Sequence, residues 1–327
     1  MFFNGDNNLV DRCYFNGKNH MKPLIGNSEK SSRHNGVTHS FFKDIPYNSA
    51  NGREIFRIWG YGRNEDVSDD GAFFTIEGNL FDHADGEGEE IISLKSNHNL
   101  VRRNTLVATR GDINLRSGNF NTVVENVILG QGVTGAYGVR TAGRHHIVQN
   151  NVICGCDYGI KLTCGEFIDQ DLTGKYKPVP REDTPLGRVP RYGQVSGLRL
   201  IGNVVVGSRR QDLEIGDSYK SSWPDSQLVL IPEDCHIENN RFVRPHGGNS
   251  VIGAMADTQP PLDRFAFKPN RYAGNLLLGG SNAFAPSIDG FKQETVPEGW
   301  IEQQETSSRK PLAPGDVGPD WIPAQGW

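Results

Sequence analysis

A short recurring pattern constrains the fold of this chain more than any other feature. An apolar residue is followed three positions later by asparagine, as in Val101 with Asn104 and Val123 with Asn126. The pattern places asparagine at positions 79, 104, 126, 151, 203, 240 and 275, with Cys13 and Ser40 at the equivalent places nearer the N-terminus. Successive positions lie 27, 39, 25, 22, 25, 52, 37 and 35 residues apart. A period of about 22–25 residues with occasional longer steps is typical of a solenoid with loops inserted into some coils.

The repeat predicts an all-β protein, a right-handed parallel β-helix of about nine coils. A buried asparagine at a fixed position can hydrogen-bond the equivalent asparagine of the next coil, so we expect an asparagine ladder where the strands bend. A β-sandwich would show hairpin turns every ~8–12 residues, and the sequence lacks them. It also lacks the leucine frame of leucine-rich repeats.

The long steps locate insertions near residues 62–71, 166–194 and 219–226. Such loops often line a binding cleft on the face of a solenoid. We expect residues 1–282 to form the β-helical catalytic domain. Residues 283–327 lose the repeat and are rich in proline, which predicts a C-terminal extended tail packed on the helix.

Composition narrows the range of partners. The net charge of -5 does not favour nucleic-acid binding, and no apolar run is long enough to cross a membrane. The N-terminus lacks the basic and apolar regions of a signal peptide. A cytoplasmic protein and a chain lacking the first residues of its precursor are both consistent with this, and the sequence leaves the oligomeric state open.

Alternating segments at the centre of the chain present charged residues on one face. In residues 89–96, Ile92 and Leu94 point to one side and Lys95 to the other. Basic residues at similar coil positions are Arg57, Lys95, Arg116, Arg140 and Lys161. Stacked strands would bring them about 5 Å apart. The pattern predicts a cationic column that binds a polyanion, the alternative being solvated basic residues paired with carboxylates of the loops.

The run Glu90-Ile-Ile-Ser-Leu-Lys95-Ser96, followed by Leu115-Arg116-x-Gly118, resembles polysaccharide lyase family six, which includes alginate lyases and chondroitinase B. Further segments carry the similarity from about residue 8 to residue 321, among them residues 56–60, 78–81, 138–140 and 314–321. The resemblance implies a parallel β-helix and β-elimination in a uronate polymer. It assigns Lys95 as the base, which must be neutral for part of the time, and Arg116 as the group that stabilises or protonates the leaving oxygen.

The resemblance also implies a calcium ion held by an asparagine and two glutamates. Asn51 matches the asparagine and Glu90 the second glutamate, but the first glutamate falls on Gly88. Glu89 or Glu87 would substitute by a small shift of the loop, because Ca²⁺ accepts irregular oxygen geometry. Without such a shift, calcium would bind weakly or not at all.

The sequence therefore predicts a lyase acting on an acidic polysaccharide, with alginate ahead of dermatan-type chondroitin because Arg140 lies where alginate-active relatives tend to be basic. Arg57, Arg140, Lys161 and His145 are the candidate substrate-binding residues, although a structural role for His145 at a coil corner is favoured. Gly88 supports a different class, a non-catalytic glycan-binding β-helix. A β-helical hydrolase needs paired carboxylates, and the pair Asp69-Asp70 has no matching partners. The resemblance implies a secreted or periplasmic protein.

Overall fold

A computed structural model gives the architecture of the chain. The structure describes residues 1–27, 32–60, 69–168, 192–216, 220–223, 226–253, 268–282, 289–298 and 310–321. Residues 62–68 of the predicted insertion near residues 62–71, and most of the insertion at 166–194, lie outside this part. Within it the regular elements are β-strands, joined by turns and short loops, with a single 3-10 turn at Pro314–Asp316.

The strands form three long parallel sheets, and the chain visits them in turn, coil after coil. The first sheet contains β1 (Phe2–Phe3), β4 (Ile25–Asn27), β7 (Phe56–Trp59), β10 (Glu90–Lys95), β13 (Gly111–Leu115), β16 (Ala136–Thr141), β19 (Tyr158–Leu162), β23 (Gln211–Ile215), β28 (Asn249–Gly253) and β31 (Ser281–Asn282). The second sheet contains β2 (Leu9–Asp11), β5 (Gly36–Thr38), β8 (Thr75–Glu77), β11 (Leu100–Arg102), β14 (Thr122–Val124), β17 (Ile147–Gln149), β21 (Arg199–Ile201), β26 (His236–Glu238) and β29 (Arg271–Ala273). The third sheet contains β3 (Tyr14–Asn16), β6 (Phe41–Ile45), β9 (Leu80–Ala84), β12 (Thr105–Val107), β15 (Val127–Leu129), β18 (Val152–Cys154), β22 (Val204–Val206), β27 (Arg241–Val243), β30 (Asn275–Leu278) and β32 (Phe291–Glu294). This is the predicted parallel β-helix.

A small antiparallel sheet accompanies the coils. It contains β20 (Gly165–Ile168), β25 (Ser226–Leu230) and β24 (Lys220–Trp223). No helix in the described residues has the length and apolar character needed to cross a membrane.

The core lies inside the coil because every second residue of a strand points inward. On β10, Ile92 and Leu94 are fully buried, and they pair with Phe56 and Ile58 on one side. Burial of each such side chain stabilises the fold by about 1.5–3 kcal/mol. The same alternation turns the intervening residues to the outer face, where the candidate site lies.

The predicted asparagine ladder is confirmed. Asn104 donates from Nδ2 to Oδ1 of Asn126 at 3.0 Å, and Asn126 donates to Asn151 at 2.9 Å. The chain of bonds runs without a break from Asn79 to Asn275. It crosses the 52-residue step from Asn151 to Asn203 at 3.0 Å, so the ladder continues unbroken across the longest step of the repeat.

A second polar ladder occupies the bend between the first and second sheets. The backbone N–H of Phe74 donates to Asn99, and Asn99 donates to Asn121 at 2.9 Å. The next position holds His146, whose Nδ1 accepts from the Asn121 backbone N–H at 3.0 Å while Nε2 lies 3.0 Å from the Ala142 carbonyl oxygen. Burial lowers the pKa of His146 to about 4, so the ring is neutral at pH 7 and Nε2–H is the donor.

The C-terminal residues pack against the third sheet. Strand β32 pairs with β30, and Val317 is buried against Phe41 and Leu80. Further along, the exposed Trp321 contacts the ring of Tyr14 edge-on at 6.3 Å.

Candidate active site

Lys95 is the last residue of β10 and points away from the core, as predicted. Leu94 before it is buried, which turns the lysine to the outer face of the first sheet. Its Nζ lies 3.4 Å from Oε1 of Glu54 and 5.3 Å from the ring centroid of Trp59. The side chain keeps 15% of its surface exposed, so it reaches both solvent and a buried carboxylate.

Arg116 lies beside Lys95 on the next coil. Leu94 pairs with Leu115, so the two basic residues directly follow a matched pair on adjacent strands. The Arg116 Nε lies 3.4 Å from Oε1 of Glu90, and the guanidinium packs 3.6 Å from the ring centroid of Tyr192. The structure thus brings the predicted base and the predicted leaving-group residue together.

Three buried carboxylates lie beneath this basic pair. Glu54, Glu87 and Glu90 each place a carboxylate oxygen within 4.8 Å of the others. Backbone N–H groups of Gly52 and Arg53 donate to Oε2 of Glu87. The cluster combines oxygen donors and negative charge in a buried position.

The charges of the cluster act on one another. Burial raises the pKa of Glu87, and the nearby Glu54 and Glu90 raise it further. Burial alone would also raise the pKa of Glu90, but the charges of Arg140 and Lys95 hold it below its usual value. Glu87 is therefore the member of the cluster whose negative charge is least compensated.

The cluster fits a divalent cation. Carboxylate oxygens are the ligands that Ca²⁺ prefers, and a bound cation would relieve the repulsion that raises the pKa of Glu87. The predicted ligands are placed differently. Glu90 belongs to the cluster, Asn51 is exposed, and Glu89 has 67% of its side chain exposed and pairs with Arg140 at 3.0 Å.

Tyr47 occupies the space next to Gly88. A Cβ atom at position 88 would lie 3.4 Å from the Tyr47 hydroxyl oxygen. The Tyr47 ring is itself covered by the Arg110 guanidinium, 3.7 Å from the ring centroid. A side chain at position 88 would therefore lie in van der Waals contact with Tyr47, and the carboxylate that lies with Glu54 and Glu90 is that of Glu87.

The basic residues form two rows rather than the single column expected from their spacing. Arg57 pairs with Ser93, and Ser93 pairs with Asn114. Asn114 pairs with Arg140 and Arg140 with Lys161, which places Arg57, Arg140 and Lys161 in one row. Lys95 pairs with Trp59, so Lys95 and Arg116 lie in a second row two residues further along the strands. The spacing of 38 residues between Arg57 and Lys95 is close to a coil length and predicted that they would be neighbours. The strands pair at a spacing of 36 residues, so the neighbour of Arg57 is Ser93.

Carboxylates neutralise much of the first row. Arg57 makes hydrogen bonds to both oxygens of Glu54. The Arg140 Nε lies 2.8 Å from Oδ2 of Asp112, and its terminal nitrogens lie 3.0 Å from Glu89 and 3.8 Å from Glu90. Burial opposes the charge of Arg140, but these carboxylates outweigh it and raise its pKa. Lys161 lies 3.7 Å from Glu214.

His145 lies at the bend after the first sheet. Its ring stacks on Phe120 at 5.1 Å, and Phe120 stacks on His98 at 5.0 Å. The stack continues through Phe73 to His34. His145 is therefore part of a structural stack of rings along the corner of the coil.

Sequence reasoning missed Glu54 and Tyr192. Ile92 pairs with Phe56, and Glu90 and Glu54, each two residues earlier, lie in the same carboxylate cluster. Aligning residues 54–58 with residues 90–94 would have shown this. Tyr192 lies near the end of the largest insertion, and its contact with Arg116 joins parts of the chain that no repeat relates.

Comparisons with known proteins place this site in context. A family model described as Chondroitinase B matches residues 1–158. The solved structure of a PL6 family polysaccharide lyase, Pedsa3628 from Pseudopedobacter saltans, is 43% identical, with a TM-score of 0.79 over 98% of this chain and 72% of that chain. A mannuronic acid specific family 6 lyase from human gut microbiota is 23% identical, with a TM-score of 0.73 over 98% of this chain and 66% of its own.

The fold also matches the PL6 family alginate lyase AlyGC. The identity is 23% and the TM-score 0.74, over 99% of this chain and 42% of AlyGC. Among curated proteins, none matches the chain.

Proposed function

Because the chain belongs to the PL6 family of polysaccharide lyases, we propose that it cleaves an acidic uronate polymer by β-elimination, with alginate as the preferred substrate. The observation that carries the proposal is the juxtaposition of Lys95 and Arg116, which directly follow the paired residues Leu94 and Leu115 of adjacent strands. Two relatives named for alginate or mannuronic acid share the fold, which supports alginate as the first polymer to test.

In β-elimination, a base removes the proton on C5 of the uronate, a double bond forms between C4 and C5, and the bond between C4 and the 4-O leaving group breaks, the leaving oxygen taking up a proton from water. We assign proton removal to Lys95, whose Nζ reaches the outer face beside Arg116. A lysine acts as a base only when it is neutral. The Lys95 Nζ lies 3.4 Å from Oε1 of Glu54, a carboxylate that also accepts hydrogen bonds from Arg57.

Arg116 stabilises the negative charge that develops on the leaving oxygen. An arginine is charged at all relevant pH values, which suits stabilisation better than proton donation. Glu90 on one side and the Tyr192 ring on the other hold the guanidinium in place. A preorganised cation of this kind acts where charge appears in the transition state.

Glu54, Glu87 and Glu90 would hold Ca²⁺. When bound, the ion would supply positive charge that offsets the charge growing on the uronate carboxylate. These three glutamates would bind the ion and position it, and Lys95 would carry out the proton transfer. The assignment replaces Asn51 and Glu89 by Glu54 and Glu87 as the proposed ligands.

A second candidate substrate is dermatan sulfate. The match to the Chondroitinase B family over residues 1–158 favours it. That segment includes Lys95 and Arg116, so both candidates use the same reactive pair. Polymers of either kind lie outside the cytoplasm, which supports a secreted or periplasmic location.

The test mixes the protein with alginate and, separately, with dermatan sulfate, and follows ultraviolet absorbance with calcium and with chelator. Elimination produces an unsaturated uronate that absorbs in the ultraviolet, and hydrolysis does not. A rise with alginate is expected, and its loss in chelator would support the three-glutamate site. The absence of a rise with both polymers would overturn the proposed substrate class.

A further inference from the structure

The stack of rings at the corner between the first and second sheets ends at His145. Its members lie at centroid distances of 4.8 to 5.1 Å, which matches the spacing of about 4.8 Å between parallel strands. One ring therefore occupies each coil from His34 to His145. The next two coils place Gly197 and Asp234 at this corner. The φ angles of His145, Gly197 and Asp234 are 55°, 64° and 53°, so all three occupy the same left-handed position of the turn.

Gly197 interrupts the stack and leaves a cavity. A Cβ atom at this position would lie 2.5 Å from Nδ1 of His145, so the ring lies against the glycine backbone and a larger residue would displace it. The corner cavity has a volume of about 390 Å³ and is lined by His145, Gly197, Arg199, Asp234 and His236. Since four of these residues belong to the two coils after His145, the cavity lies on the side of the ring away from Phe120. Its volume is sufficient for a sugar-sized ligand.

The row of outward residues beside this corner changes character at the same place. The row runs along the second sheet, two residues after each corner position. Beside the stacked rings it contains uncharged residues, namely Gly36, Thr75, Leu100, Thr122 and Ile147. Beyond the stack it contains Arg199, His236 and Arg271, which pair in succession. Basic residues therefore replace uncharged ones where the rings end.

Arg199 is the cation of this row that is available to a ligand. It is exposed, and its side chain makes no ion pair or hydrogen bond with any residue that the structure describes. The neighbouring His236, by contrast, places Nδ1 3.4 Å from Oε1 of Glu238. Asp234 is the acidic residue of the corner cavity, and the Lys268 Nζ lies 3.6 Å from its Oδ2. The cavity thus combines an aromatic ring, an unpaired guanidinium and a carboxylate whose charge is offset.

We propose that the corner cavity is a second binding site for the uronate polymer, separate from the reactive pair. One sugar residue packs its apolar face on the His145 ring, and its carboxylate pairs with Arg199. Asp234 accepts a hydrogen bond from a sugar hydroxyl. Gly197 lies two coil steps, roughly 10 Å, beyond the coil of Arg116, and around the bend from the first sheet. A long polymer can therefore occupy both sites at once, whereas a trisaccharide can occupy only one. The identity of the polymer rests on the proposed function.

The test compares the wild type with Arg199→Ala on alginate polymer and on alginate trisaccharide. An ion pair at an exposed site changes affinity by up to about fivefold. We therefore expect the ratio of kcat/KM on polymer to kcat/KM on trisaccharide to fall by about three- to fivefold in Arg199→Ala. Arg241→Ala is the matched control, because Arg241 is likewise exposed and begins a three-residue strand, but on the third sheet. This control should keep the wild-type ratio.

An unchanged ratio in Arg199→Ala, or an equal fall on both substrates, would overturn the second site and leave the proposed function intact. If the wild type cleaves no uronate polymer, the proposed function fails, and electrophoresis in gels that contain alginate decides on the second site. The two variants carry the same change of charge, so their retardation by alginate can be compared directly. Weaker retardation of Arg199→Ala than of Arg241→Ala would then support the site, and equal or absent retardation would overturn it.

Discussion

The asparagine ladder and the outer face of the first sheet both stack polar side chains at the strand spacing, but they solve the problem of burial differently. In the ladder, Asn126 donates to Asn151 and accepts from Asn104, so identical neutral groups satisfy one another. On the outer face, Glu54, Glu90 and Asp112 stack against Lys95, Arg116 and Arg140, and these groups are charged and unlike one another.

The difference separates a structural element from a reactive one. A neutral ladder needs no external ligand. On the outer face, burial raises the pKa of Asp112 to about 7 and leaves Glu87 under the repulsion of two other carboxylates. Such perturbed groups mark the region where ligands complete the structure, so substitutions there should change activity, while substitutions in the ladder should change stability.

The largest expected effect is on turnover in Lys95→Ala. Loss of a general base typically reduces the rate by about 10²–10⁴-fold, and we expect a loss on the order of 10³-fold in kcat. The melting temperature should change little, because the side chain lies on the outer face and Arg57 still pairs with Glu54. Lys292→Ala provides the control, since Lys292 is exposed on β32 and pairs with Glu294. More than a tenth of the wild-type kcat in Lys95→Ala would exclude Lys95 as the base.

The ladder is tested by Asn151→Ala. This change removes the acceptor for both Asn126 donors and the donors to Val123 and Asn203. Buried donors left without a partner cost about 1–3 kcal/mol each, so we expect the free energy of unfolding to fall by about 3–4 kcal/mol. Chemical denaturation would measure this. Asn16→Ala, on an exposed asparagine of β3, should cost under about 0.5 kcal/mol, and an equal cost for both variants would contradict a special role for the ladder.

His146 makes the second ladder sensitive to acid. Because its folded pKa is about 4 rather than the usual 6.5, the unfolded chain binds a proton between these values and the folded protein does not. Stability attributable to this group is complete above pH 6.5, falls as the pH is lowered and is lost by about pH 4. The loss amounts to roughly 3 kcal/mol. The His146→Asn variant carries the residue found at the neighbouring ladder positions, and its denaturation midpoint should depend less on pH between 6.5 and 4 than that of the wild type. An unchanged pH dependence would disprove the assignment.

The structural features that recur in every coil could be predicted from the sequence, and the features that occur once could not. The ladder could be predicted because one residue type recurs at one place in the coil. The two rows of cations could not, because coil lengths set the register only to within about two residues and the match of Arg57 to Lys95 failed on that margin. Aligning residues 54–58 with residues 90–94 would have identified Glu54. The contact of Tyr192 with Arg116 could not be found in this way, because Tyr192 belongs to an inserted segment that has no counterpart in the other coils.

The smallest expected effect concerns the contact between Tyr192 and Arg116, which joins an inserted segment to the reactive face. Tyr192 packs against buried Cys164 and Ile231, and its ring also lies 3.6 Å from the Arg116 guanidinium. A cation–π contact contributes about 0.5–2 kcal/mol, so Tyr192→Ala should lower kcat by about tenfold. Tyr192→Phe keeps the ring and should retain kcat within about twofold. Tyr192→Leu keeps most of the apolar packing but not the ring, and it separates the two roles. If Tyr192→Leu is as active as Tyr192→Phe, the ring matters only for packing. If it resembles Tyr192→Ala, the ring positions Arg116, and a residue of the inserted segment contributes to the reactive face.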